Sequence, residues 1–182
     1  MNTPNKLTIF RIILTLIIVV ILLFPFSAMG IDIAQIFVNE TIVIDVRYLV
    51  AGVLFIIASL TDFGKFMDAV ADKILVNAVL VILSAQGFIH PIIPVIIIMR
   101  DTFVDSIRMV ASKNGKVIPA GMLGKVKTAS MMVGLVLTLF YNMPFELLNL
   151  RISDFLLILA TTLSVISGIQ YYSVNREFFK EK

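Results

Sequence analysis

The sequence predicts an all-α fold: a polytopic membrane bundle of about six transmembrane helices, with both termini cytoplasmic. Three observations predict it. The 182 residues are 59% hydrophobic with a mean hydropathy of +1.03, well above a soluble domain with an ordinary core. Charge-free runs at 12–31, 74–99, 128–145 and 155–174 are mostly long enough to cross a hydrocarbon layer of roughly 30 Å. Lysine and arginine alternate between rich and poor connections in step with those runs.

The elements follow in order. The first span, near 7–28, is preceded by Lys6 and has Arg11 at its entrance. It lacks a small-residue cleavage site and ends in Phe24-Pro25-Phe26, which reads as a retained span and not as a removed signal peptide. A second span, near 43–62, follows a segment that sets Asp32, Glu40 and Asp45 against Arg47 alone. The third, near 65–87, is entered past Asp62 and Lys65 and leaves through a turn whose only ionisable group is His90. The fourth, near 91–112, adjoins the basic connection, with Arg100, Arg108, Lys113, Lys116, Lys125 and Lys127. The fifth, near 122–144, leads to a mixed turn with Glu146, Arg151 and Asp154. The sixth, near 153–174, leads to Arg176, Lys180 and Lys182. The positive-inside bias puts both termini and the Asp68/Asp72 end on the cytoplasmic side of the cell membrane. A single membrane domain over 1–182 is expected, embedded in a lipid bilayer and with no nucleic-acid partner. Without cysteine, the chain has no disulfides, thiolate chemistry or sulfur-ligated metal.

Asp68 and Asp72 open the third span at a spacing of four, which puts both carboxylates on one helix face. Gly64, four residues earlier, leaves that face bare. Ionised groups at a membrane helix entrance are costly and mark binding or transport. Carboxylate oxygens suit hard divalent cations such as Mg²⁺ or Mn²⁺, which in turn suit phosphates. The basic connection lies on the same membrane face and suits a second anionic group. A phosphorylated lipid could span the two. The bland readings stand beside this one: basic loops set orientation, and Asp68 and Asp72 beside Lys65 and Lys73 form interfacial salt bridges. Tyr171 and Tyr172 read as interfacial anchors.

The motifs resemble a known family. Gly64-x3-Asp68-x3-Asp72 is similar to the second half of the CDP-alcohol phosphatidyltransferase signature, D-x2-D-G-x2-A-R-x8-G-x3-D-x3-D. Further segments resemble its bacterial phosphatidylglycerophosphate synthase branch. Pro4-Asn5-Lys6-Leu7-Thr8-Ile9-Phe10-Arg11 is similar to P-N-x2-T-x2-R. Phe63-Gly64-Lys65-Phe66-Met67-Asp68 with Ala71-Asp72-Lys73 resembles F-G-K-F-x-D-P-x-A-D-K, with Ala69 in place of the proline. Ile96-Ile97-Ile98-Met99-Arg100-Asp101 with Ile107-Arg108, and Leu123-Gly124-Lys125-Val126-Lys127-Thr128, resemble two more, and the likeness ends near Ser167-Gly168-Ile169-Gln170-Tyr171.

The resemblance implies a dimerising six-helix membrane enzyme of phospholipid biosynthesis, active-site side to the cytoplasm. It would transfer a phosphatidyl group from CDP-diacylglycerol to glycerol 3-phosphate. It implies two divalent metals, Mg²⁺ or Mn²⁺, on Asp62, Asp68 and Asp72, with Asp72 also the general base. Arg100, Arg108 and Lys125, with Gly64, would meet substrate. Asn5, Thr8 and Arg11 would support the nucleotide side.

The sequence departs from the pattern at one place. Asp62 stands two residues before Gly64, so the D-G-x2-A-R portion and its linker, about fifteen residues, have no counterpart. Thr61-Asp62-Phe63 matches either the first signature aspartate or the residues that ordinarily precede F-G-K-F. At 1.5 Å per helical residue, such a loss shifts Asp62 by up to about 20 Å relative to the metal site. At most three of four carboxylates remain, which predicts weak or absent transfer. Two other classes fit parts of the pattern: a catalytically impaired paralogue serving as membrane scaffold or dimer partner, and an ion-coupled transporter. The transporter reading lacks an inverted repeat.

Overall fold

The computed structural model describes residues 3–39, 42–60, 68–113, 115 and 121–175, apart from the side chains of 3–6, 27, 38, 39, 42, 68 and 69. Within these residues the chain is mostly helical, in six α-helices that fall on the expected apolar runs.

Helix α1 (Thr3–Leu23) stops sooner than its apolar run, because Pro25 disfavours helical backbone at Phe24. A 3₁₀ turn, Phe26–Met29, follows it. Next comes an element the hydropathy did not announce, an antiparallel pair of strands, β1 (Gln35–Asn39) and β2 (Ile42–Asp45), with Gln35 opposite Asp45 and Phe37 opposite Val43. Asp45 then caps helix α2 (Val46–Leu60): its Oδ1 accepts the Arg47 N–H at 3.0 Å, and its other oxygen meets Arg47 Nε at 2.8 Å.

Helix α3 (Asp68–Ala85) closes in a Schellman motif. The Phe88 N–H reaches the Leu83 carbonyl, the Gly87 N–H reaches that of Ser84, and Gly87 takes φ +83°. Helix α4 (Ile92–Lys113) and helix α5 (Met122–Leu139) follow. Helix α5 ends the same way without glycine: Tyr141 N–H bonds to the Thr138 carbonyl, Asn142 N–H to that of Leu137, and Tyr141 takes φ +56°. That costly conformation is held from outside. The Tyr141 ring packs edge-on against Tyr48 and Phe88, and its hydroxyl accepts the Asp45 N–H at 3.3 Å. After a 3₁₀ turn, Phe145–Leu148, helix α6 (Ile152–Asn175) returns antiparallel along α5.

The core runs through the middle of the bundle on Ile18, Leu22, Phe55, Leu75, Leu135 and Leu157, all essentially inaccessible. Polar side chains are buried among them, including Arg11, Lys127, Ser164 and Ser167. The outside carries Leu16, Val20, Val53, Val133, Phe155, Ile158 and Ile169, all exposed. Helices α5 and α6 are each long and apolar enough to cross a membrane by length and composition, and α2 and residues 7–23 of α1 are shorter apolar helices. Charges at Asp72, Lys73, Arg100, Asp101, Asp105 and Arg108 interrupt α3 and α4.

Buried Asn142 ties the α5–α6 turn. Its Nδ2 donates to the Leu150 carbonyl at 2.6 Å and to Glu146 at 3.0 Å, and its Oδ1 accepts the Ser153 N–H at 3.1 Å. Asn142→Ala leaves the Ser153 N–H without that acceptor at the start of α6. The expected cost is about 1–3 kcal/mol, read as a lowered Tm in detergent, with the cavity at the far end of α5 and α6 unchanged.

Candidate active site

At the opposite end of the bundle from that turn, α3, α4, α5 and α6 enclose a cavity of about 500 Å³. Helix α4 supplies most of its polar wall. Arg100, Asp101, Val104, Asp105 and Arg108 recur at helical spacing, so one face of α4 points into the cavity. Helix α3 adds Asp72 and Lys73, α5 adds Lys127 and Thr128, and α6 adds Ser167 and Tyr171.

Polar contacts lock these helices to one another. Lys127 Nζ donates to both oxygens of Asp101 at 2.7 Å, joining α5 to α4. The Lys127 side chain is 3% exposed and that of Asp101 12%, so the pair is nearly dry. Asp101 Oδ1 also accepts from Arg100 Nη1 at 2.9 Å. Arg100 Nη2 donates to Ser167 Oγ at 2.8 Å, joining α4 to α6. Arg108 Nε donates to the Tyr171 hydroxyl at 3.0 Å, and its guanidinium lies 5.4 Å from the centroid of that ring. Lys73 pairs with Asp105 across α3 and α4, at a more exposed position where the pair contributes little stability.

The charges do not cancel evenly. Lys127 and Arg100 share one carboxylate, Asp101. Arg108 bonds a neutral phenol, with no carboxylate paired to it among the described residues. Over the whole lining, Lys73, Arg100, Arg108 and Lys127 outnumber Asp72, Asp101 and Asp105, and the arginines of α4 face Asp72 on α3 across the same cavity. An anion is attracted to the first side and a cation or an acidic proton to the second.

Several residues singled out in the sequence meet here. Asp72, Arg100 and Arg108 line the cavity. Lys125 is exposed one turn into α5 and is not in the wall, whereas Lys127 is. Thr8 and Arg11 are buried in α1 and do not line it either. Asp62 and Gly64 lie outside the described residues. Asp68 opens α3 one turn before Asp72 and Asn5 lies in α1, their side chains outside the description. Among the described residues no three carboxylate or imidazole groups cluster as a metal site. The α3 donors are nevertheless all carboxylate oxygens at helical spacing, the chemistry that hard divalent cations take. Tyr171, read as an interfacial anchor, lines the cavity and holds Arg108. Asp101, Asp105 and Ser167 had not been singled out for the site. The spacing Arg100-Asp101-x3-Asp105-x2-Arg108 was the signal that could have found the first two.

A helical protein whose cavity sets a carboxylate against arginines is equipped for chemistry on phosphate groups. Comparison with known proteins gives the family. Residues 1–166 match the model of the CDP-alcohol phosphatidyltransferase family, and the chain belongs to that family. It is similar to the CDP-diacylglycerol–glycerol-3-phosphate 3-phosphatidyltransferase of Bacillus subtilis (strain 168), 37% identical over 98% of this chain and 97% of the relative. Proteins of the same name are similar too: that of Mycoplasma pneumoniae, 32% identical over 75% of this chain and 67% of the relative, and that of Rickettsia bellii, 26% identical over 98% and 97%. The Bacillus alignment runs over 194 positions, more than this chain's 182 residues, so that relative carries residues with no counterpart here.

Lys127→Met removes the partner that meets both oxygens of Asp101 and leaves it Arg100 alone. The substitution is expected to destabilise the protein by about 1.5–3 kcal/mol, the range for hydrogen bonds to charged groups, as read from thermal unfolding in detergent.

Proposed function

We propose that this chain transfers the phosphatidyl group of CDP-diacylglycerol to glycerol 3-phosphate, giving phosphatidylglycerophosphate and CMP. The observation that carries this reading is the presence of Asp72 on α3 and of Arg100 and Arg108 on α4 around one cavity, in a chain of this family. The names of the relatives from Bacillus, Mycoplasma and Rickettsia point to the same reaction.

In this reading Arg100 and Arg108 bind the phosphate of glycerol 3-phosphate, and Lys127 acts through Asp101 to hold Arg100 in place. An acceptor so anchored leaves its free hydroxyl to reach toward α3. Asp72 takes the proton of that hydroxyl as its oxygen attacks the lipid-linked phosphorus. The new P–O bond forms as the phosphoanhydride bond to CMP breaks, and CMP departs with the bonding electrons. Asp62, Asp68 and Asp72 would hold divalent cation, Mg²⁺ or Mn²⁺, which neutralises charge on the pyrophosphate when bound. Gly64 would let the donor approach α3, and Asn5, Thr8 and Arg11 would support the nucleotide side from α1.

The same reading makes the chain one membrane domain over 1–182. Six helices cross the cytoplasmic membrane, with both termini and the cavity toward the cytoplasm, and the protein forms a homodimer. The exposed apolar side chains of α1, α2, α5 and α6 support a lipid environment, since a water-facing surface of that composition would aggregate.

Purified protein in detergent micelles, given CDP-diacylglycerol, labelled glycerol 3-phosphate and Mg²⁺, is expected to form labelled lipid, and EDTA to stop it. Asp72→Asn should lower turnover by about 100-fold or more. No labelled lipid from the unaltered chain would overturn the reading. With the D-G-x2-A-R segment absent, the carboxylate set is short, so half-saturating Mg²⁺ should lie above that of the Bacillus relative measured alongside.

The absence of cysteine makes orientation testable in the native background. A membrane-impermeant maleimide on intact cells should label Leu148→Cys and not Lys113→Cys, with both labelled after permeabilisation. The reverse pattern would refute the orientation.

A further inference from the structure

Ser167 and Gly168 stand on α6, outside every segment that bears charge in the cavity, yet both meet Arg100. Arg100 Nη2 donates to Ser167 Oγ at 2.8 Å. The Ser167 hydroxyl has its own proton engaged, donating to the Ser164 carbonyl at 3.1 Å, so a lone pair is left to receive the guanidinium. One residue on, α6 has no side chain. A Cβ built at Gly168 would lie 3.1 Å from Arg100 Cγ and 3.8 Å from its Nε. The arginine stem thus lies close against Gly168, where an added Cβ would push it aside by a few tenths of an ångström. Asp101 takes the opposite side of the guanidinium through Nη1.

The consequence is orientation. An arginine has five N–H donors in a rigid planar fork. One donor of Nη2 goes to Ser167 and one of Nη1 to Asp101. Nε is buried beside Gly168 with no hydrogen-bond partner among the described residues. What is left is one N–H on each Nη, in a side chain that lines the cavity. Donors left on neighbouring nitrogens of one planar guanidinium can receive two oxygens of a phosphate at once.

We propose that Ser167 and Gly168 are positioning residues for the acceptor's phosphate: together they seat Arg100 against α6 so that its remaining donors meet the incoming anion. The inference rests on the glycerol 3-phosphate reading above and extends it to a helix that carries no charge of its own in the cavity. It assigns α6 a part in acceptor specificity, because a loosely held Arg100 would still attract anions but would lose the two-point geometry that favours a phosphomonoester.

Ser164 supplies the control. It lies one turn before Gly168 on α6, it is fully buried, and its hydroxyl has no hydrogen-bond partner among the described residues. Ser167→Ala, Gly168→Ala and Ser164→Ala each change α6 by one small group at a buried site. The measurement is the KM for glycerol 3-phosphate and for CDP-diacylglycerol in micelles, with equilibrium binding of labelled glycerol 3-phosphate and a thermal unfolding curve for each protein. Ser167→Ala and Gly168→Ala are expected to raise the acceptor's KM and Kd roughly tenfold, the effect of losing about one well-aligned contact, with the donor's KM within about twofold of the unaltered protein. Ser164→Ala is expected to leave both values unchanged. The proposal is overturned if Ser167→Ala behaves like Ser164→Ala, or if the KM for donor and acceptor rise together. Failure of the unaltered chain to bind glycerol 3-phosphate is a different result and counts against the acceptor assignment itself.

Discussion

A lysine buried to a few per cent exposure in an apolar bundle must have its charge met, and here a single carboxylate meets it. Asp101 receives Lys127 through both oxygens and Arg100 through one. Three charged groups on two helices are thereby held at fixed positions, and Ser167 ties the same cluster to a third helix. Within low-dielectric surroundings the cost of separating these groups is far larger than at a surface. The cavity wall keeps its shape for that reason, and the arginines that face an anion depend on it.

This division of labour separates holding from binding. Lys127 is neutralised by Asp101 and works inward. Arg108 bonds a phenol that leaves its charge intact. Arg100 stands between the two roles, fixed by Asp101 and Ser167 while its remaining donors stay available. The far end of the bundle is stabilised by different means: the Tyr48–Phe88–Tyr141 ring cluster and the hydrogen bonds of Asn142. Stability at one end and chemistry at the other leave substitutions in the first region free of direct effects on the second.

The helices were legible because each apolar run is bounded by charge or proline, and the observed limits differ from the expected ones by a few residues. Residue 25 shows the cause of one difference, since hydropathy continues through Pro25 although helical backbone does not. The strand pair was missed because Val43, Ile44 and Asp45 of β2 fell inside the span expected near 43–62 and Ile36-Phe37-Val38 is too short an apolar run to form one, yet their β-branched composition was readable. In the site, Asp72, Arg100 and Arg108 were legible from motif spacing. Lys125 and Lys127 were not separable that way: two residues apart on a helix point to nearly opposite faces, and only packing of α5 against α4 decides which one enters the cavity. Ser167, Gly168 and Tyr171 were visible as the end of a resemblance but not as a seat for arginines, because that role depends on the approach of α6 to α4.

The cations of α4 and the α6 helix that seats Arg100 are present despite the absent D-G-x2-A-R segment. Everything therefore turns on whether the remaining carboxylates bring a metal near the phosphate that those cations receive. The most direct measurement is the ³¹P relaxation of glycerol 3-phosphate in the presence of Mn²⁺ and the micellar protein. Metal and acceptor sharing one cavity predict strong protein-dependent broadening, lost both in Asp72→Asn and in Arg108→Ala. Broadening no greater than that of Mn²⁺ without protein, or unchanged by both substitutions, would contradict a shared carboxylate–arginine site.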